Sequence, residues 1–113
     1  MQEIKAIIQP FMLSAVIEAL TQIPHMPGVT VSEVKGFGRG RAQNTQNSTT
    51  AWGVTVVPKV KLETVVTDAM ADTVVQAIQK HAHTGNLGDG KIFVYPVSRI
   101  VKIRTNETGE AAL

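Results

Sequence analysis

The sequence predicts an α+β sandwich of β-α-β-β-α-β order, the ferredoxin-like arrangement. Two amphipathic helical stripes each lie between strand-like runs. A faint repeat, Val16-Ile17-Glu18-Ala19-Leu20 echoed by Val74-Val75-Gln76-Ala77-Ile78, falls at the same place in both helices. The length of 113 residues leaves room for one domain and one core. Two such halves interleave as one antiparallel sheet with both helices on one face.

The elements follow in order. Over residues 3–9, Ile4, Ala6 and Ile8 share one face of a strand and Lys5, Ile7 and Gln9 the other, and Pro10 ends it. Leu13, Val16, Ile17 and Leu20 recur at helical spacing, and Pro24 with Pro27-Gly28 breaks that helix. A second strand covers residues 29–36. A third runs from about Val54 to Thr67, with Pro58 at a bulge or an edge. Asp68 is placed to cap a second helix with the stripe Ala71, Val74, Val75 and Ile78, and Gly85 to end it. Strands at 91–97 and about 99–104 complete the chain, followed by a polar tail over 105–113. With both helices on one face, Ile7, Val65 and Phe93 need cover on the other, which predicts association through the sheets.

Composition narrows the function classes. The absence of cysteine excludes disulfides, thiolate metal sites and cysteine nucleophiles, and fits a cytoplasmic protein. A net charge of +2 without a basic cluster argues against nucleic acid as a partner. The start lacks the apolar stretch of a signal peptide, and no apolar run approaches the roughly 20 residues that span a bilayer. A membrane role would require docking onto a membrane protein. His81 and His83 are two apart, which does not pair them as metal ligands on one helix face.

Two segments stand apart. Residues 39–53 are polar, contain no acidic residue and carry almost nothing apolar before Trp52. So long a loop is either a functional mobile arm or a tolerated insertion. Gly85 to Lys91 matches GxxxxGK, but Ile92 replaces the magnesium-binding hydroxyl and the order is helix–loop–strand, so it is no Walker NTPase. Glycines can still turn backbone N–H groups toward an anion, with Lys91 as a point charge. The other reading is a glycine-rich turn. Gly36-Phe37-Gly38-Arg39-Gly40 and the alternating Lys102 and Arg104 add two more clusters suited to a polyphosphate held between elements or subunits.

Thr84 to Val94 resembles the C-terminal signature of the PII signal-transduction family. Lys35-Gly36-Phe37-Gly38-Arg39 and Pro58-Lys59-Val60-Lys61-Leu62-Glu63 are similar to the segments flanking that family's large loop. Ile7-Ile8-Gln9-Pro10-Phe11 and Ile103 to Gly109 match as well, so the resemblance spans nearly the whole chain. It implies one PII-like domain over 1–113, a homotrimer, and ADP, ATP or AMP in each cleft between subunits. Gly88, Asp89, Gly90 and Lys91 would embrace the phosphates, with Gly36, Gly38 and Arg39 at the loop base. Lys102 and Arg104 would reach in from the neighbour, and Thr30, Glu63 and Val65 would hold adenine beside Ile7. Loop 39–53 would report to a regulated enzyme or membrane transporter, an ordering switch biased by ligand.

The departures shape the expected chemistry. Trp52 stands where the family carries its uridylylated tyrosine, so that modification is not expected; Ser48, Thr49 and Thr50 are the loop's phosphorylatable hydroxyls. Gly40 replaces a glutamine that helps bind Mg2+ and 2-oxoglutarate, leaving both open, while the retained Lys59 is expected to pair with a small anion. Lys102 replaces the first of two arginines and loses the bidentate fork, which favours ADP or AMP. The expectation is a nucleotide sensor of a carbon-linked branch responding to bicarbonate. The alternative is a nitrogen-regulatory PII responding to ATP, ADP and 2-oxoglutarate. A slow ATPase or an acylphosphatase-like enzyme is disfavoured, because no activated nucleophile or base is visible. A trimeric metal-tolerance protein lacks its cysteines here.

Overall fold

The computed structural model of the chain describes residues 1–37, 49–51 and 54–113. Its elements are β1 (Gln2–Ile8), α1 (Leu13–Thr21), β2 (Thr30–Gly36), β3 (Thr49–Ala51), β4 (Val54–Val66), α2 (Asp68–Ala82) and β5 (Gly90–Pro96). Four strands lie in the order β2-β4-β1-β5, and β3 pairs the first residues of β4. Every pairing is antiparallel. This is the ferredoxin-like α+β arrangement, with β2 and β5 at its edges.

Alternation along the strands and the helical stripes meet in one core. Ile4, Ala6 and Ile8 of β1 and Val60, Leu62 and Val66 of β4 are buried beneath Val16 and Leu20 of α1 and Ala71, Val74 and Ile78 of α2. Burying each large side chain is worth roughly 1.5–3 kcal/mol. The register sets the opposite face: Lys91, Ile7, Lys61 and Ser32 form one row across β5, β1, β4 and β2, and Phe93, Lys5, Glu63 and Thr30 the next. Lys5 covers part of that face itself, its Nζ lying 5.7 Å from the Phe93 ring centre and 5.0 Å from that of Tyr95.

Several local expectations are corrected. Residues 99–104 form no strand; a lone bridge, Val101 to Thr108, closes a turn instead. There the Asn106 N–H donates to the Lys102 carbonyl and the Lys102 N–H to that of Glu107. The alternation is real, but these residues have no ladder partner among the described residues. Thr67 occupies the N-cap of α2, and Asp68 lies in its first turn, 2.8 Å from the Met1 amine. Helix α2 ends at Ala82 with His83 extended, so Gly85 (φ +88°) shapes the following loop and does not terminate the helix. Of the two readings of Pro58, the bulge is not seen, since its register with Lys35 is unbroken, while the edge fits, because Pro58 lies beyond the end of β1. Within the loop read as 39–53, Thr49–Ala51 pairs with Val54–Val56. Gly38, Arg39, Gly40, Ser48 and Trp52 lie outside the described residues.

Candidate functional site

The glycine loop between α2 and β5 is built around one carboxylate. Asp89 accepts hydrogen bonds from the Thr84 N–H at 2.8 Å, from the Gly85 N–H at 2.9 Å and from the Thr84 hydroxyl. The Asn86 N–H donates in turn to the Thr84 hydroxyl at 3.2 Å. Burial pushes the Asp89 pKa up, but the Thr84 and Gly85 hydrogen bonds and the charge of His83 outweigh it, holding the carboxyl below its ordinary value. The side chain of Asp89 therefore shapes the loop, and what the loop offers an anion is backbone.

Gly90 fixes where that backbone lies. It has φ +101°, and a Cβ there would stand 1.7 Å from the Ile7 carbonyl oxygen. Only glycine allows the loop to enter β5 against β1. The exit brings Lys91 opposite Ile7. Ile7, Asp89, Gly90 and Lys91 line one cavity of about 380 Å³, together with His83 and Gln79 of the α2 end.

A second element grips the loop. The Lys59 ammonium, on β4, donates to the Gly88 carbonyl at 2.5 Å. Burial pushes the Lys59 pKa down, against the opposing pull of Asp89. An ammonium has three donors, and among the described residues Gly88 engages one of them. Lys59 also lines a cleft with Pro10, Glu33, Val34, Lys35 and Pro58, where β2 and β4 run toward the large loop.

Thr30, Glu63 and Val65 are brought together elsewhere. They line a cavity of about 360 Å³ with Glu3, Gly28 and Thr64. The register explains it: β2 pairs β4 only as far as Glu63, while β1 continues to pair it through Val66. Past Glu63 the β2 side of β4 is vacated. Backbone groups alternate sides along a strand, so one of Thr64 and Val65 turns its N–H and C=O into the vacancy. That adjacent donor and acceptor is what a nucleobase edge requires. Glu63 is held 3.5 Å from Lys61.

The two cavities are not contiguous. From Gly90 to Val65 the register counts two strand spacings and five residues, about 20 Å. Lys102 and Arg104 enter neither cavity; Lys102 lies 4.0 Å from Glu107 in the terminal turn, and Arg104 is exposed. Gly36 ends β2 opposite Val57. Sequence reasoning assigned no binding role to Thr84, His83, Gly28 or Thr64, although it read Gly28 as a helix breaker and Thr84 as the start of the glycine signature. The Thr–Asp pair bracketing the glycines was the available signal for Thr84. His83 is exposed, whereas His81 makes a 2.9 Å bond to the Ala77 carbonyl of its own helix.

Comparison with known proteins decides the family. The family model described as nitrogen regulatory protein P-II matches residues 1–107. The chain belongs to the PII family. Among its relatives are nitrogen regulatory protein P-II of Klebsiella oxytoca, 48% identical, and of Azospirillum brasilense, 46% identical. Nitrogen regulatory protein P-II 1 of Escherichia coli K12 is 47% identical, and in all three cases the match covers the whole of both chains. A crystal structure of Arabidopsis thaliana PII bound to citrate superposes with a TM-score of 0.81 at 39% identity, covering 99% of this chain and 91% of that one. PII proteins are regulatory signalling proteins and not enzymes. The relatives carry nitrogen-regulatory names, which favours that reading over the carbon-linked one.

Proposed function

We propose that this PII protein senses adenine nucleotides in clefts between three copies of the chain and reports their presence through loop 39–53. The regulated partner is an enzyme or a membrane transporter of nitrogen metabolism. The observation that carries this reading is the glycine loop: a backbone cradle preshaped by Asp89, ending in Lys91 and pressed against Ile7 by the fit at Gly90. Preorganised N–H groups beside a cation suit a polyphosphate tail. The vacated edge at Thr30, Glu63 and Val65 suits the base.

On one chain the two cavities share no lining residue and lie about 20 Å apart from Gly90 to Val65, and Lys102 and Arg104 line neither. One ligand therefore joins the glycine loop of one copy to the base pocket of another, with Lys102 and Arg104 closing on the phosphates across the boundary. Asp89 is the only carboxylate between Thr84 and Lys91, and Thr84 and Gly85 already engage it, so it does not suit a magnesium ligand. Lys59 supplies a positive site for a small carboxylate such as 2-oxoglutarate. The citrate bound by the Arabidopsis relative is in keeping with such a site.

Calorimetric titration with ATP, ADP and AMP, each with and without 2-oxoglutarate or bicarbonate, tests the reading. Nucleotide should bind without turnover, and Lys91→Ala should weaken ATP at least tenfold, about 1.4 kcal/mol. A response to 2-oxoglutarate is expected; a response to bicarbonate alone would return the chain to the carbon-linked reading. Steady phosphate release dependent on Lys91 would overturn the proposal.

A further inference from the structure

Thr64 is the one polar side chain buried in the core among the described residues, 5% exposed. A hydroxyl in that position costs free energy unless it finds a partner. Its partner is unusual: the hydroxyl donates at 3.0 Å to the carbonyl of Gly28, in the segment that leads into β2. The contact falls where the β2–β4 ladder stops, one residue beyond the Thr30–Glu63 pair. Thr64 thus continues by side chain a tether that the backbone no longer provides. Gly28 and Thr64 line the same cavity as Thr30, Glu63 and Val65.

We infer that Thr64 is a positioning residue for nucleobase selectivity. By holding Gly28 it sets the width of the gap between the 24–29 segment and the vacated edge of β4. It also occupies one lone pair of the Gly28 carbonyl, which fixes that wall. A wall at fixed distance lets the backbone donor and acceptor of β4 meet the amino and ring-nitrogen edge of adenine, and presents the keto and N–H edge of guanine with mismatched groups. A site with fixed polar groups discriminates far better than one free to relax, because the wrong base leaves those groups unpaired. The inference rests on the proposed placement of adenine in this cavity.

Thr64→Val keeps the volume and removes the hydroxyl, and Thr64→Ser restores it. Calorimetry on the full-length wild type and both variants, with ATP, ADP, GTP and inorganic tripolyphosphate, separates the possibilities. In Thr64→Val, ATP and ADP should weaken by the same factor of about ten, the size expected for a carbonyl that loses its hydrogen bond. GTP should stay as weak as in the wild type and tripolyphosphate unchanged, so that the ATP-to-GTP preference falls about tenfold. Thr64→Ser should recover most of that preference. If Thr64→Val keeps the wild-type preference, or loses tripolyphosphate binding in step with ATP, Thr64 only supports the fold and the inference fails. If the wild type itself binds no adenine nucleotide, the base pocket is misread and both proposals fall together.

Discussion

At the scale of residues, the glycine loop shows how much can hang on one carboxylate. Thr84, Gly85 and Asp89 were all visible in the sequence, and the glycine pattern marked the anion cradle. The sequence could not show that the Asp89 side chain turns inward, because a turn's hydrogen bonds depend on backbone angles that spacing alone does not determine. A pH dependence follows. The folded carboxyl titrates below the unfolded value of about 3.9, so its contribution is complete above that value and is lost as pH falls through the lower, folded one. At neutral pH, Asp89→Asn should lower stability by about 1 kcal/mol, less than a fully buried charged hydrogen bond because the loop is open to water. Urea unfolding of both proteins between pH 7 and pH 3 should show their gap closing below about pH 4. A gap that stays constant across that range would mean the charge contributes nothing.

At the scale of elements, the sequence marked both helices and four strands, because their apolar periods reflect burial that the fold supplies. It failed at 99–104, where Val101 and Ile103 alternate as in a strand but, among the described residues, no strand pairs with them. Alternation reports a face and not a partner. The sequence marked two lysines of β4, Lys59 and Lys61, and paired Lys59 with a small anion but with nothing in the chain itself. In the structure one of them, Lys59, ties that strand to the glycine loop through Gly88. This bond connects the element leading out of the large loop with the one proposed to hold phosphates, so an anion drawn to Lys59 and a nucleotide at Gly88 share a contact. Shared contacts produce reciprocal coupling free energies. Lys59→Met should leave ATP affinity within a few-fold of wild type while abolishing the effect of 2-oxoglutarate on it, which in coupled pairs is typically about 5- to 150-fold. Titrations of ATP at zero and saturating 2-oxoglutarate measure both quantities. Persisting coupling in the variant would exclude Lys59 as the link.

At the scale of the whole molecule, the single chain is left with surface that it does not cover. Edge strand β5 exposes Phe93, Val94 and Tyr95, and Ile103 at the tip of the terminal turn is 100% exposed between two cations. Open edges with apolar side chains invite pairing with another copy. The cleft geometry asks for the same thing, because Lys102 and Arg104 reach neither cavity of their own chain. Ile103 is therefore expected to act as the anchor that seats these cations on a neighbour, its burial contributing roughly 1.5–3 kcal/mol per copy. Sedimentation equilibrium should give the wild type a mass three times the 12.2 kDa of the chain. Ile103→Asp should shift it toward smaller species and weaken ATP binding more than tenfold, since the anchor and the phosphate cations share one turn. Because Ile103 is fully exposed in its own chain, the variant should still unfold cooperatively in urea, separating lost assembly from lost folding. A variant that stays trimeric and binds ATP normally would place the subunit boundary, and with it the composite cleft, somewhere other than this turn.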